Sequence, residues 1–178
     1  MSQDAYSWVA RCEKCKLFTS KPQLVALPLR PVVIEEPFTQ WGLDFIGPLN
    51  PSSSVRHTHI LTATDYFIKW VEAIPVRKTT SEIMCTFLKE NILVRFGVPQ
   101  KIVADNASNF SSSELSLFFY DHGIALAYAS DYYLQGNSQV ESSNKNLINI
   151  MKKLVSKNFR DWHKKLHEAL WADQTSPK

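Results

Sequence analysis

The chain has 178 residues, 44% hydrophobic and 21% charged, with a formal net charge of +3. That is enough for one filled domain plus a short appendage, and it is far from a disordered composition. No apolar run approaches the length of a membrane span, the N-terminus lacks the regions of a signal peptide, and three cysteines are too few for a disulfide framework. These features point to a soluble, intracellular protein with no membrane partner.

Residues 1–19 read as a short helix ending in Cys12-Glu13-Lys14-Cys15. Residues 20–37 carry Pro22, Pro28, Pro31 and Pro37 without periodicity and read as an extended linker. The main domain begins near Phe38. Trp41 to Ile46 alternates, with Trp41, Leu43 and Phe45 on one face and Asp44 on the other, and residues 58–65 and 69–76 complete an antiparallel meander. A helix is expected from Thr79, with Glu82 closing a capping box and Ile83, Phe87 and Val94 inward, stopped by Gly97 and Pro99. Ile102-Val103-Ala104 is a short buried strand that delivers Asp105 at its exit. Ser111 and Glu114 suggest a second capping box, opening a helix with Leu115, Phe118 and Phe119 inward and Gly123 at its close. Ile124–Tyr128 is the fifth strand. A polar loop from Ser130 to Gln139 precedes a long helix from about Val140 to Lys157, and a last helix starts at Asp161 with Trp162, Leu166, Ala169 and Leu170 inward. Three strands followed by βα alternation give an α/β fold, a mixed five-stranded sheet flanked by helices.

Asp44, Asp105 and Glu141 stand out from the chain's 17 acids because of where they fall. Asp44 projects from the non-core side of a strand. Asp105 sits at a strand exit, the usual place for ligand-binding residues in α/β sheets. Glu141 is expected in the first turn of a helix, with Lys145 one turn further along the same face. Three acids on rigid elements are what divalent cations need to activate an oxygen nucleophile on phosphate. From Glu141 to Lys165 seven basic residues face two acids, a block suited to a nucleic-acid backbone and equally compatible with a solvated helix face. Gln135, Asn137 and Gln139 either reach DNA or simply solvate a loop. Asp65 reads as a turn residue, Glu72 as a strand residue facing out, Trp41, Trp70, Trp162 and Trp171 as packing, Cys85 as apolar filler, and His163 with His167 as a solvent-facing pair.

The runs Trp41-Gly42-Leu43-Asp44-Phe45-Ile46-Gly47-Pro48-Leu49, Phe96-Gly97-Val98-Pro99-Gln100-Lys101-Ile102-Val103-Ala104-Asp105-Asn106 and Gln135-Gly136-Asn137-Ser138-Gln139-Val140-Glu141-Ser142-Ser143-Asn144-Lys145 resemble the catalytic core of retroviral-type integrases. Within that group they are most similar to LTR retrotransposons of the gypsy class from plants. The resemblance covers Cys12 to Trp171 and places Asp44, Asp105 and Glu141 on the family's D,D-35-E triad. It implies an RNase H-like fold, two Mg²⁺ or Mn²⁺ ions on the triad, DNA 3′-end processing and strand transfer, a homo-oligomer on DNA, and a nuclear location. Asn144 and Lys145 would position the DNA backbone, with Lys152, Gln135 and Gln139 as further nucleic-acid contacts. Cys12-x-x-Cys15 resembles the second half of a His-His-Cys-Cys zinc module, so residues 1–19 read as its remnant; zinc, which needs four ligands, is not expected in this fragment. Ala107, Leu134 and Ser138 depart from the family's usual glycine, proline and glycine, and Asp173-Gln174 stands where Tyr-Arg is common. These departures support an alternative, a catalytically inactive nucleic-acid-binding remnant or host-adapted module. A ribonuclease of the same fold group fits less well, because Glu141 lies on a late helix.

Overall fold

A computed structural model of the chain describes residues 36–105, 110, 112–128, 134–155 and 158–176. The chain divides into two units, Met1–Pro31 and Val32–Lys178, and every described residue belongs to the second. The Cys12/Cys15 remnant, most of the expected linker, and Ala107 lie outside the described residues.

The described strands form one five-stranded sheet in the order β3-β2-β1-β4-β5. β1 (Gln40–Ile46), β2 (His59–Asp65) and β3 (Val71–Val76) make the antiparallel meander, and β4 (Lys101–Ala104) and β5 (Ala125–Tyr128) add in parallel beyond β1. This is the mixed five-stranded sheet expected from the strand and helix order, and the RNase H-like arrangement that the resemblance implies. Side-chain alternation sends successive residues to opposite faces, and both faces are covered. Trp41, Leu43, Leu61, Ala63 and Val76 pack under α1 (Ser81–Phe87) and α2 (Ser113–Asp121), with Met84, Phe87, Leu115 and Phe119 from those helices. Ile60, Val71 and Ala73 meet Leu147 and Met151 of α3 (Leu134–Leu154) and Trp162, Leu166 and Ala169 of α4 (Trp162–Thr175) on the other face.

Several expected details are corrected. The first helix begins at Ser81, and its N-cap, Thr80, makes no side-chain capping bond. Beyond Phe87 the helix widens into a π-helical stretch, Leu88–Leu93, before a closing α turn at Val94–Phe96. The wider turn rotates the later residues off the α-helical phase, so Leu88 and Ile92 are buried while Val94 is 76% exposed. The cap of α2 is Ser112, whose side chain accepts from the Leu115 N–H at 3.2 Å. Gly123 closes α2 at φ +67, a conformation that suits glycine.

The sheet's two covered faces also explain Glu72. It was expected to face out, yet it is buried on the α1 side, where Arg95 Nη1 bonds its carboxylate at 2.5 Å and Trp70 Nε1 donates to it at 2.7 Å. Trp171 is 69% exposed rather than packed. His163 is not solvent-facing: it is half-buried, edge-on to His57 at 5.5 Å, while His167 is exposed. Asp173 is buried and accepts from Asn146 Nδ2 at 2.6 Å, and Gln174 Nε2 donates to the Val71 carbonyl at 2.9 Å, so the Asp173-Gln174 departure ties α4 to α3 and β3.

Candidate active site

The parallel β1–β4 register brings the first two acids together. Leu43 pairs with Ala104, so the next residues, Asp44 and Asp105, leave neighbouring strands side by side. Trp41 and Leu43 take the α1 face, which turns Asp44 to the other side of the sheet, toward α3.

The third acid arrives on α3, and a glycine decides how closely that helix seats. A Cβ added at Gly42 would lie 2.3 Å from Val140 Cγ2 and 3.0 Å from the Tyr66 hydroxyl. Val140 and Tyr66 are both buried, and with Val103 they form a small apolar cluster under the helix. Val140 is therefore seated over Gly42, two strand positions from Asp44, and Glu141 is the next residue of the helix. Val140 is held by a stiff β-branched contact, so the helix has little freedom to shift.

The start of α3 differs from expectation. Residues 134–139 continue the helix instead of forming a loop, since no proline interrupts the run. Glu141 therefore lies two turns inside the helix, where the macrodipole contributes little. Ser138, Leu134 and Gln135 fall within this first part of α3, and their side chains lie outside the described residues. Gln139 is described: its side-chain oxygen accepts from Lys69 Nζ in the β2–β3 turn, which also donates to the Tyr66 carbonyl.

The electrostatics gather the acids into one unit. Burial pushes the Asp44 pKa up from 3.8 to about 6; the Phe45 N–H and Asn144 pull it down, while the negative charges of Asp105 and Glu141 push it further up. Both neighbours thus act on Asp44 across short range, and both are exposed toward solvent. One Asp44 oxygen accepts from the Phe45 N–H at 2.7 Å and the other from Asn144 Nδ2 at 2.7 Å. Asn144 was expected on the DNA backbone. It is 7% exposed, donates to Asp44 and also lines the groove beside it, about one helical turn beyond Glu141. That role is set by a contact spanning 100 positions and carries no local sequence signal.

Three hard carboxylate oxygen donors, two of them acting as like charges on Asp44, suit a divalent cation, which would relieve that repulsion. Among the described residues no three His, Cys, Asp or Glu side chains are drawn together as a ready-made cation cage. Asp105 and Glu141 act on Asp44 as like charges without closing a shell around a common point. Beside them runs an open groove lined by Ile46, Asn144, Lys145, Ile148, Asn149 and Lys152. Lys145 and Lys152, both exposed, lie along one wall of this groove with Asn144, which bonds Asp44.

Residues 35–133 match the model of the integrase core domain. The chain is 28% identical over 164 residues to the Pro-Pol polyprotein of simian foamy virus type 3 and 26% identical over 166 residues to that of feline foamy virus, covering 92% of this chain in each case. It is also 28% identical over 141 residues, 79% of the chain, to the Gag-Pol polyprotein of avian reticuloendotheliosis virus. The chain spans only 14% of each foamy virus polyprotein and 12% of the avian one. Its fold matches a chain in the cryo-EM structure of the simian T-cell lymphotropic virus intasome in complex with the PP2A regulatory subunit B56 gamma. The TM-score is 0.74 at 20% identity, over 95% of this chain and 59% of that one. On its family match and its sheet, the chain belongs to the integrase core domain family.

Proposed function

We propose that this chain is the catalytic core of an enzyme that inserts retroelement DNA into a target, cutting and rejoining phosphodiester bonds. The observation that carries the reading is the raised pKa of Asp44, with Asp105 and Glu141 among its causes, the three delivered by β1, the exit of β4 and α3. Those three residues would hold Mg²⁺ or Mn²⁺, in a two-ion arrangement. When bound, the cations supply Lewis acidity, activating an oxygen nucleophile and neutralising charge that develops on the phosphate.

The chain's own groups do the rest. The Phe45 N–H and the Asn144 amide fix the Asp44 carboxylate, leaving little orientational freedom to lose when it is engaged. The Gly42–Val140 contact holds Glu141 against the same strand. Lys145 and Lys152 meet backbone phosphates of a DNA end lying in the α3 groove, and the Ile46 and Ile148 side chains offer an apolar surface between them. Gln139, tethered by Lys69, borders that path, and Gln135 is placed on the same helix as a further contact. The triad flanks favour a gypsy-class element of plant type as the source. Work as a homo-oligomer on DNA in the nucleus follows from the same reading.

The test is Mn²⁺-dependent disintegration of a branched DNA substrate, with Glu141→Gln prepared in parallel. Cleavage by the wild type that is absent in the variant supports a working three-carboxylate site. A folded, DNA-binding sample that cleaves nothing assigns the chain to the inactive-remnant reading instead.

A further inference from the structure

The end of the sheet that carries the acids also carries a cluster of cations that the active site does not use. β1 and β4 run parallel and deliver Asp44 and Asp105 to that end. β3 ends there too, because Val76 pairs with His59 at the start of β2 and β2 runs antiparallel to β1. Arg77 and Lys78 follow directly and are both exposed. By register they lie two strands across from Asp44, roughly 10 Å, and about four strand positions beyond its level, roughly 13 Å.

The β1–β2 loop brings more charge to the same place. Ser53 organises a tight turn: its N–H donates to the His57 carbonyl at 2.9 Å, its hydroxyl accepts from the His57 N–H at 2.9 Å, and its carbonyl accepts from the Arg56 N–H at 2.8 Å. The turn holds exposed Arg56 at φ +66, a costly conformation for a side chain of that size. The Ser54 N–H donates to the Arg160 carbonyl at 2.8 Å, and the Thr58 hydroxyl donates to the Arg77 carbonyl at 3.1 Å, so Arg160 and Arg77 flank the loop. Nearby Asp161 is already engaged by Lys164 at 3.1 Å and by Asn158 at 2.8 Å. Arg56, Arg77, Lys78 and Arg160 make no ion pair among the described residues. His57, between them, has its pKa lowered by burial and then by His163 and Arg77.

Exposed cations crowded without acids repel one another, and a polyanion relieves that cost. Duplex DNA offers a phosphate about every 1.7 Å along its axis, so several fall within the span of this cluster. We propose that Arg56, Arg77, Lys78 and Arg160 form a second nucleic-acid surface that grips the phosphate backbone of a duplex crossing the acid-bearing end of the sheet, apart from the strand along the α3 groove. The proposal rests on the DNA reading above and adds a second path for the nucleic acid. An acidic protein segment is the competing occupant; the location at the same end of the sheet to which β1 and β4 deliver the acids favours DNA.

The test is fluorescence anisotropy of a labelled 30-base-pair duplex with the full chain, in EDTA, across roughly 50–200 mM salt. Arg77→Gln/Lys78→Gln/Arg160→Gln is compared with Lys145→Gln/Lys152→Gln and with the combination of both sets. The triple variant is expected to bind about tenfold more weakly near 100 mM salt and to flatten the log–log salt slope by about 2–3. The two sets should combine multiplicatively. Wild-type affinity and slope in a folded triple variant overturn the proposal, as does loss of binding confined to a polyglutamate peptide. Loss only in the α3 pair sinks this surface and keeps the DNA reading; no loss in either set sinks both. Arg160→Gln alone, outside the sheet, supplies the same readout at about one unit of slope if the triple variant does not fold.

Discussion

Two ends of the same sheet treat their carboxylates in opposite ways. At the β2–β3 turn, Asp65 is fully buried, yet its oxygens accept the backbone N–H groups of Phe38 at 2.8 Å, Phe67 at 3.0 Å and Ile68 at 2.7 Å. Glu72, in the middle of β3 at the level of Leu43 but on the other face from Asp44, is answered by Arg95 and Trp70. At the β1–β4 end, Asp44 receives two hydrogen bonds, but its charged neighbours are two more acids. The first end is a finished structure whose acids are compensated by the protein. The second sets a buried carboxylate, Asp44, among like charges. Burial alone does not mark a functional acid; the sign of its neighbours does.

The largest expected contrast is in activity. Asp44→Asn, Asp105→Asn and Glu141→Gln should each lower disintegration by about 10²–10³-fold or more, with the fold intact by circular dichroism. Activity in any of the three near that of the wild type would break the comparison at its functional end.

Stability should respond at the other end. Asp65→Ala strips the acceptor from three backbone N–H groups and should cost about 2–4 kcal/mol in urea unfolding. A loss below about 0.5 kcal/mol, the level of an ordinary surface change, would remove Asp65 from the structural class.

Gly42→Ala probes the joint between the two ends, because the new methyl meets Val140 and Tyr66. About 1–3 kcal/mol of destabilisation is expected. Disintegration should fall in the same variant even at temperatures where it stays folded, since Glu141 rides on the displaced helix. Wild-type activity with reduced stability would show that the helix seat does not set the site.

The smallest effect is a pH dependence of opposite sign to most buried carboxylates. The folded-state pKa of Asp44 is about 6 against an ordinary 3.8, so between those values the folded state binds more protons than the unfolded one. Its contribution to metal-free stability should therefore fall as pH rises from about 4 to 6 and stay flat above. Asp44→Asn should flatten that limb and raise the metal-free melting temperature at pH 7 by a few degrees. An unchanged pH profile would mean that the crowding of the acids carries no energetic weight.

Much of this was legible in the sequence because it is local. The alternation of Trp41, Leu43 and Phe45 fixed the face of Asp44, and the short run ending at Ala104 fixed the exit of Asp105. The helix bearing Glu141 and Lys145 is recognisable from its pattern, although its true start lies six residues before Val140, because Gln135–Gln139 are polar but uninterrupted by proline. What stayed hidden depends on distant partners. The burial of Glu72 needs Arg95 from a turn that a π-helical stretch rotates into place. Asn144 looked like a DNA contact because its partner lies a hundred positions away, and His163 looked solvated because His57 sits on another element. Exposed Trp171 shows the converse: an aromatic at helical spacing is not thereby part of the core.

The central claim is that Asp44, Asp105 and Glu141 act together on one cation-binding site. Calorimetric titration of Mn²⁺ into the metal-free full chain at pH 7 tests it directly, with Asp44→Asn, Asp105→Asn and Glu141→Gln titrated alongside. The account predicts binding in the wild type that is lost or strongly weakened in every one of the three. Unchanged Mn²⁺ binding in the three variants would contradict it.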